Sequence, residues 1–474
     1  MKSAAFHNLG CKVNSYEMDV MQQMLREKGY EIVPFDQIAD IYIINTCTVT
    51  NIADRKSRQM LHRAKQKNPQ AVVVAVGCYV QTDREGVEQD PCIDLAVGNN
   101  RKKDLPEILE AFLAQREHLT AQQAAGEADA VQRDKTLQDT TVIDINRSCD
   151  YEEMTLQRTA EHTRAYIKIQ DGCNQFCSYC IIPYARGRVR SRRVEDVLAE
   201  IRGLVAGGYR EIVLTGIHIS SYGIDLEEKA VYRGESKLID LVELIHAQVP
   251  ELARIRLGSL EPRIITEEVV KRLAALPKVC PHFHLSLQSG CDETLRRMNR
   301  QYATGEYLQG VQLLRRYYAH PAITTDVIVG FPQETDEEFA QTRDFLETVG
   351  FFEMHIFKYS RRAGTVADRM PGQLTDKVKS ARSDVLFALE AEQSKAFRDY
   401  YIGKQVQVLW EDCREIDGTT YWIGHTADYV KVAVPTDDRT RSNSFSDVRV
   451  RRFLTDEILL GDASAEESAD ESRE

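Results

Sequence analysis

Apolar runs of strand length alternate with helical patterns along the first hundred residues. The apolar runs lie at residues 4–9, 41–45, 71–76 and 93–98. Helical spacing of apolar positions marks residues 16–27 and 52–67. Strands that alternate with helices in this way favour a parallel sheet. The pattern therefore predicts a small α/β domain over residues 1–113.

The middle of the chain repeats the order of strand and helix six times. Its candidate strands are residues 165–169, 211–216, 254–258, 282–288, 323–329 and 352–357. Between the first two of them, Val194, Val197, Leu198 and Ile201 follow the helical period. Six such units predict a partial (βα)6 TIM-like barrel over residues 161–400, with its chemistry at the carboxyl ends of the strands.

Three other segments have different patterns. Residues 114–160 are rich in Gln, Ala, Asp, Glu and Thr with little periodicity, which indicates a surface linker or a helical extension. Residues 401–461 contain four strand-like runs and no helical pattern, so they predict an all-β barrel of a kind that often holds RNA. The acidic, apolar-poor residues 462–474 predict a disordered tail.

Cysteine content and hydropathy indicate the cellular compartment of the protein and the role of its cysteines. The chain has 474 residues and eleven cysteines, and no apolar run approaches the roughly 20 residues that cross a bilayer. No signal peptide follows Met1, so we expect a cytoplasmic protein. Disulfides are rare in that reducing compartment, and cysteines at meaningful spacings are better interpreted as metal ligands or redox groups.

The net charge of −12 hides local basic clusters. A polyanion such as RNA is held by clustered Lys and Arg, not by the average charge of a chain. One cluster spans residues 55–67. The second cluster consists of Arg186, Arg188, Arg190, Arg192 and Arg193.

Cys173, Cys177 and Cys180 form a C-x3-C-x2-C motif directly after the first predicted barrel strand. Three thiolates can hold three irons of a [4Fe–4S] cluster and leave the fourth iron open. An open iron can bind the amino and carboxylate groups of S-adenosylmethionine (SAM), and an electron from the cluster then yields a 5′-deoxyadenosyl radical. The alternatives are a partial zinc site or chance burial.

Cys11, Cys47 and Cys78 are distant in sequence, but each follows an apolar strand of the N-terminal domain. Equivalent strand ends of a parallel sheet lie along one edge, so these thiols can converge. This repetition predicts a second [4Fe–4S] cluster with an open iron. The alternative is three buried cysteines without a ligand role.

The middle segment resembles the radical SAM superfamily. That resemblance implies that Tyr179 lies beside the adenine of SAM. It also implies that the sequence GGYREIVLTG supplies Gly207, Gly208 and Glu211 to the SAM amino group. The strand-end stretches LGSLEP and LSLQSG would then face the SAM pocket through Ser259, Glu261, Ser286 and Gln288.

The whole chain resembles the methylthiotransferase family in the motifs LGCKVNSYE, NTCTVTNIADRKSR, GCYVQT and IKIQDGCNQFCSYCIIPYARGRVRSR. It is most similar to the branch that acts on N6-threonylcarbamoyladenosine. The resemblance implies an auxiliary-cluster domain, a radical SAM domain and a terminal TRAM-like RNA-binding barrel, with two [4Fe–4S] clusters and SAM as cofactors. The implied activity is tRNA modification by methylthiolation of C2 of that nucleoside, at position 37 beside the anticodon.

Such an enzyme must grip the anticodon stem-loop of tRNA and receive electrons from a donor that the sequence does not identify. The arginine run 186–193 follows the cluster loop and is a candidate phosphate contact, although a solvated basic face is the alternative. Trp422 and Tyr429 are candidates either for stacking on a base or for the core. Further candidates for RNA contacts are Lys404, Lys431, Arg449, Arg451 and Arg452 of the terminal barrel.

Arg361 and Arg362 follow the last predicted barrel strand. One of them is our sequence-based candidate for the partner of the threonylcarbamoyl carboxylate. Solvated loop arginines or phosphate contacts are the alternative interpretation.

Three other functions remain open at this point: methylthiolation of a ribosomal protein side chain, methylthiolation of isopentenyladenosine in tRNA, and a non-enzymatic iron–sulfur protein that binds RNA or senses redox state. Only an enzyme explains an open-iron loop followed by strand ends of this kind. Reductive cleavage of SAM separates the enzymes from the last of these.

Overall fold

The N-terminal domain is built on a five-stranded parallel sheet. The computed structural model describes residues 2–124, 141–158, 163–226, 236–436 and 441–463. The strands of this domain are β1 (Ser3–Asn8), β2 (Glu31–Val33), β3 (Ile41–Thr46), β4 (Val72–Gly77) and β5 (Leu95–Val97). Their order in the sheet is β2-β1-β3-β4-β5, with every pair parallel. The sequence predicted four of these strands and missed β2, a three-residue edge strand without a fully buried side chain.

Helices cover both faces of this sheet. They are Lys12–Glu27, Asn51–Lys67, Cys78–Thr82, Arg84–Gln89 and Leu105–Ala124. Every residue of β3 and β4 is buried, as expected for central parallel strands packed on two sides. One face joins the core of the next domain, while the other packs on Leu61 and Ala64 of the second helix.

In its described residues, the middle domain has eight strands, of which six are parallel and form a half-open barrel. Its strands are β6 (Ala165–Lys168), β7 (Gln170–Asp171), β8 (Arg190–Ser191), β9 (Glu211–Thr215), β10 (Arg254–Leu257), β11 (His282–His284), β12 (Ala322–Val329) and β13 (Glu353–Lys358). The sheets β10-β9-β6 and β11-β12-β13 meet through the parallel bridges Ile255–Val279 and Leu260–Leu285. The short pair β7 and β8 stands apart and is antiparallel. The partial (βα)6 barrel predicted from the sequence is confirmed.

Helices follow the strands of this half barrel. They are Ile182–Arg186, Val194–Ala206, Lys237–Gln248, Glu267–Ala274, Asp292–Arg297, Thr304–Tyr317, Asp336–Val349 and Asp376–Asp399. Local sequence explains their ends: Thr335 accepts a hydrogen bond from the backbone N–H of Glu338, whose side chain accepts one in return. Gly350 ends the same helix with φ +63°, a left-handed conformation that suits glycine.

The C-terminal domain is a closed five-stranded barrel. Its strands are β14 (Gln405–Ile416), β15 (Thr419–His425), β16 (Lys431–Pro435), β17 (Phe445–Phe453) and β18 (Ile458–Ala463), in the order β14-β15-β16-β18-β17. Trp410 and Trp422 are buried in its core, so the stacking role considered for Trp422 is wrong. Sequence analysis missed β18 and assigned its last two residues to the acidic tail. Residues 464–474 of that tail lie outside the described residues.

The predicted linker is partly integrated into the fold. Helix Leu105–Ala124 continues past the boundary expected at residue 113, and residues 125–140 and 159–162 lie outside the described residues. In between, Met154 and Leu156 are buried in the core shared by the first two domains. Residues 141–158 therefore contact the core at some positions and are exposed at others, and the linker and the domain boundaries stay predictions. Among the described helices, none is long and apolar enough to cross a membrane.

Candidate functional site

The C-x3-C-x2-C loop lies directly beyond β7, at the carboxyl end of the half barrel. All three of its cysteines are half-buried. The backbone N–H of Cys180 donates to the carbonyl of Cys177 at 2.9 Å, and the N–H of Cys173 donates to the carbonyl of Gly187 at 3.0 Å. These bonds fold the loop back on itself, so that its three thiols interact electrostatically.

Gly172 permits the turn that enters this loop. Its φ of +71° is left-handed, and a Cβ at this position would come within 1.8 Å of the carbonyl oxygen of Arg188. Beyond that contact, the Arg188 guanidinium lies 4.4 Å from the centre of the Phe176 ring. The loop therefore depends on a close backbone approach that only glycine allows.

Burial raises the pKa of four cysteine thiols, those of Cys11, Cys47, Cys173 and Cys180. It raises the pKa of Cys173 to about 11, and burial with the neighbouring Cys177 raises the pKa of Cys180 to about 12. Burial, followed by the effect of Cys78, raises the pKa of Cys47 to about 12. Thiolates are the form that binds iron, so metal binding at these sites must release protons.

Two polar residues beside the loop were missed by sequence analysis. Arg300 donates to the Cys177 sulfur at 3.2 Å and to the Ser286 carbonyl at 3.1 Å. The buried Nε2 of His218 has no hydrogen-bond partner in the described part of the chain. Burial, with Arg300 and Arg263 nearby, lowers the pKa of His218 to about 4 and leaves its ring neutral at physiological pH. A charged ligand at this edge would therefore meet a cation and an unpaired imidazole nitrogen.

Five of the residues expected around SAM lie on the same edge of the half barrel. Tyr179 belongs to the cysteine loop, and its ring lies 6.4 Å from the ring of Phe331 in a T-shaped arrangement. The others follow the carboxyl ends of β10 and β11. They are Ser259, Glu261, Ser286 and Gln288. Their contacts with SAM stay predictions.

Gly207, Gly208 and Glu211 lie at the opposite edge, so the prediction that they bind the SAM amino group is wrong. The two glycines end helix Val194–Ala206, and Glu211 is the first residue of β9. Glu211 is fully buried and pairs with Arg256 at 2.7 Å. The carboxyl end of β9, which does face the cysteine loop, is occupied by Thr215 and Gly216.

Cys11, Cys47 and Cys78 converge at the carboxyl ends of three neighbouring strands. Cys11 caps helix Lys12–Glu27, while Cys47 and Cys78 directly follow β3 and β4. Gly10 has φ +114°, and a Cβ there would lie 3.2 Å from the Cys47 sulfur. The three sulfur groups lie close enough to interact electrostatically when they ionise. Three thiols in this arrangement can ligate three irons of a cluster.

Arg186 lies beneath this second trio and does not face solvent. Its guanidinium donates to Glu17 at 2.8 Å and to Asn14 at 2.7 Å in the N-terminal domain. It also donates to Asp171 of β7 at 3.1 Å. Lys102 and Lys168 pair with Glu17 as well. The prediction that Arg186 contacts tRNA is wrong, because this buried ion network occupies it.

Burial alone would raise the pKa values of Glu17 and Asp171. The surrounding cations more than offset that effect: Arg186 and Lys168 hold the pKa of each carboxyl group well below its usual range. Arg186 also interacts electrostatically with Cys11 and Cys78. The network thus places a buried positive charge beside thiols that bind metal as anions.

The rest of the arginine run alternates between buried and exposed positions. Arg190 lies 3.8 Å from Asp171, and Arg192 pairs with Glu200 and Glu153, so the phosphate role predicted for these two is also wrong. Arg188 and Arg193 are exposed. Their contact with tRNA stays a prediction.

Arg362 connects the first two domains. It is buried and donates to Asp54 at 2.6 Å and to Thr48 at 2.7 Å, so its proposed role as a partner of the substrate carboxylate is wrong. Arg361 is exposed and pairs with Asp368 at 3.0 Å. Both roles considered for Arg361, partner of the substrate carboxylate and RNA contact, stay predictions.

The terminal barrel presents its predicted RNA contacts on the outside. Arg449 and Arg451 are exposed on β17, and Lys431 pairs with Glu457 at 3.1 Å. Tyr429 instead stacks between His282 and His425, with ring centres 4.9 and 4.7 Å away. Tyr429 therefore packs the barrel against the middle domain.

Two segments of the chain match known families. Residues 167–346 match the radical SAM superfamily, and residues 3–98 match a family described as Uncharacterized protein family UPF0004. The chain is 37% identical to the threonylcarbamoyladenosine tRNA methylthiotransferase MtaB of Bacillus subtilis, over 91% of this chain and 90% of that protein. It is 37% identical to the protein of the same name from Aquifex aeolicus, over 85% and 92% of the two chains.

Two further proteins are similar to this chain. The tRNA-2-methylthio-N(6)-dimethylallyladenosine synthase of Moorella thermoacetica is 35% identical over 86% of this chain and 87% of that one. The radical S-adenosylmethionine methyltransferase TsrM of Kitasatospora setae superposes with a TM-score of 0.52 over 77% of each chain. At 17% identity, the second likeness shows the fold alone.

Proposed function

Because the chain belongs to the methylthiotransferase family of radical SAM enzymes, we propose that it adds a methylthio group to C2 of N6-threonylcarbamoyladenosine at position 37 of cytoplasmic tRNA. The observation that carries this proposal is the pair of three-thiol sites, one in each of the first two domains. It is supported by 37% identity to a relative named for this nucleoside.

The radical SAM superfamily binds SAM and a [4Fe–4S] cluster, and the donor set of the middle domain fits that cluster. Cys173, Cys177 and Cys180 supply three thiols and leave one iron open. Arg300 donates to Cys177 and is placed to offset the negative charge of bound thiolates. His218 offers an unpaired ring nitrogen on the same edge, where SAM would lie. These side chains bind and orient the cofactors, and none of them needs to act as an acid or a base.

Cys11, Cys47 and Cys78 fit a second cluster of the same kind, which we propose as the site of sulfur delivery. The C2–H bond of adenine is not acidic and carries no leaving group, so side-chain acids and bases offer little there. When bound, SAM and the two clusters supply the radical, the sulfur and the methyl group. Arg186 keeps a positive charge beneath the three thiols, and Arg362 holds the two domains together.

The substrate base must leave its stack to reach the space between the two cysteine sites. A base in an anticodon loop is easier to extrude than one in a duplex. The exposed Arg188 and Arg193 near the cysteine loop, and the outer face of the terminal barrel, are the surfaces proposed to hold the stem-loop.

The test is to react anaerobically reconstituted protein with SAM, a reductant and three anticodon stem-loops, followed by mass spectrometry of the digested nucleosides. The loops carry threonylcarbamoyladenosine, isopentenyladenosine or unmodified adenosine at position 37. We expect a 2-methylthio product from the first loop only. Product from the second loop alone would instead assign the substrate named for the Moorella relative. Absence of SAM cleavage would refute enzymatic function.

A further inference from the structure

Lys12 extends from the N-terminal domain into the lumen of the half barrel. It directly follows Cys11 and is the first residue of helix Lys12–Glu27. Its ammonium is within electrostatic reach of Asp326 of β12 and Arg256 of β10, and of Tyr429 at the terminal barrel. His282 of β11 and His355 of β13 also experience its charge. Groups on four strands and two domains thus surround this one side chain.

Among the cations in this lumen, Lys12 stands out because it has no partner in the described part of the chain. Arg164 pairs with Glu411 at 2.9 Å, and Arg256 pairs with Glu211 at 2.7 Å. The carboxylate of Asp326 lies 3.3 Å from His284, and no carboxylate among the described residues lies within ion-pair distance of Lys12.

An unpaired ammonium that is partly withdrawn from water is a favourable place for an anion. Removal of a charge from water costs free energy that a bound counter-charge offsets. Lys12 remains exposed, so a ligand that enters the lumen can reach it. The charge next to Cys11 is therefore available to a ligand and is not used by the fold.

The substrate of the proposed reaction carries such an anion. The threonylcarbamoyl group ends in a carboxylate and is attached at N6 of adenine. C2 and C6 of the adenine ring flank the same atom, N1, so the group that binds the N6 substituent must lie close to the sulfur delivered to C2. Lys12 adjoins Cys11 and thus satisfies this requirement.

We propose that Lys12 binds the carboxylate of the threonylcarbamoyl group and selects this nucleoside over adenosines with a neutral or apolar N6 group. The assignment rests on the proposed function, and it gives that reaction a specificity-determining residue. An ammonium that is unpaired in the free protein adds affinity only for a substrate with an anion at this point. His355, which experiences the charge of Lys12, groups with His284 and Asp326 in the same lumen.

The test compares binding of three anticodon stem-loops to the iron-loaded Lys12→Met protein and to wild type. The loops carry threonylcarbamoyladenosine, its carboxamide derivative or unmodified adenosine. We expect Lys12→Met to weaken binding of the first loop about ten- to a hundredfold and to leave the other two nearly unchanged. Lys12→Arg should restore most of the loss, because it retains the charge.

Lys56→Met is the matched control, since Lys56 is an exposed lysine of the same domain. It should leave the ratio of the three affinities unchanged. Equal losses on all three loops with Lys12→Met, or no loss on the first, would overturn the assignment. Iron content and circular dichroism of each variant identify misfolding. If wild type forms no methylthio product, the proposed function is wrong. The ratio of the affinities for the three loops tests the role of Lys12 independently of that outcome.

Discussion

The two three-cysteine sites of this protein are built in opposite ways. Cys173, Cys177 and Cys180 lie on one short loop, whose turn at Gly172 and internal hydrogen bonds hold them together. The site of Cys11, Cys47 and Cys78 is instead assembled from three strand ends, with Arg186 of the neighbouring domain beneath it. The loop site carries its own geometry, whereas the assembled site depends on the sheet and on the contact between domains.

Because of this difference, the two sites should respond differently to mutation. A change that loosens the domain contact should leave the loop site intact and disturb the assembled one. A change in the cysteines themselves should separate the two functions, radical generation and sulfur delivery, since each site lies in a different domain.

The largest effect is expected from replacement of Cys173, Cys177 and Cys180 by Ala. Two four-iron clusters give about eight irons per chain, and this variant should keep about four. Reductive SAM cleavage should be abolished, because no other trio lies at the carboxyl end of the half barrel in the described chain. Iron analysis and chromatography of 5′-deoxyadenosine measure both. Full iron or continued SAM cleavage would refute the assignment of this loop.

Replacement of Cys11, Cys47 and Cys78 by Ala should again leave about four irons but keep SAM cleavage. Formation of the methylthio nucleoside should be lost, since the sulfur site is gone while the radical site remains. The same two assays, with mass spectrometry of the nucleoside product, test this. Undiminished product would remove the second trio from the mechanism and end the comparison between the two sites.

Sequence alone was sufficient for the family and the fold class. It also predicted that each cysteine trio converges: the first because its cysteines share one short loop, and the second because strand ends of a parallel sheet meet at one edge. It failed where a residue's partner comes from far along the chain. Arg186, Arg190 and Arg192 form a basic run that indicates a phosphate site, but their acidic partners include Glu17, which is 169 residues from Arg186.

The error at Glu211 had a different cause. The residues GGYR precede β9 and Glu211 is its first residue, so this stretch lies at the amino edge of the sheet, away from the cysteine loop. Counting from the strand would have corrected this prediction. The edge strand β2 was missed because its three residues are exposed or half-buried and give little hydrophobic pattern. The last strand, β18, was missed because its acidic end obscures the pattern.

Arg186→Leu tests whether the assembled site depends on the contact between domains. Removal of one partner from a buried ion network costs about 3–5 kcal/mol, because Glu17 and Asp171 lose a counter-charge. We expect the free energy of unfolding in urea to fall by that amount, with iron lost from the assembled site and SAM cleavage retained. The control is Arg188→Leu, an exposed neighbour whose loss should change stability little. Loss of SAM cleavage together with the iron would show that the sites are not separable.

The difference in stability between wild type and Arg186→Leu should depend on pH in a definite direction. The pKa values of Glu17 and Asp171 are depressed in the folded protein, despite burial, by Arg186 and Lys168. Their contribution to stability is therefore present above the unfolded pKa of about 4 and is lost as pH falls further. The stability gap between wild type and Arg186→Leu should be constant from pH 8 to about 5 and should narrow below about 4. A gap that widens in acid would contradict the ion network.

The smallest effect is expected on the terminal barrel, away from both cysteine sites. Arg449 and Arg451 are exposed and alternate along β17 with the buried Val448 and Val450. The pair between Arg451 and Asp462 is exposed to solvent and contributes little to stability, so phosphate can replace it. Replacement of both arginines by Gln should weaken tRNA binding about three- to tenfold. The slope of log affinity against log salt concentration should fall by about 1–2, which corresponds to the loss of one or two phosphate contacts.

The loss should be the same for threonylcarbamoylated and unmodified tRNA, because phosphate contacts carry no information about the base. Iron content and SAM cleavage without RNA should both stay unchanged, and the two results together distinguish this surface from either trio. The control is the double variant Arg296→Gln with Arg343→Gln, two exposed arginines on helices outside the half barrel. Binding isotherms at several salt concentrations give the slope. A slope equal to that of wild type would exclude both arginines from the tRNA contact and leave the other predicted contacts, Arg188, Arg193, Arg361 and Lys431, as candidates.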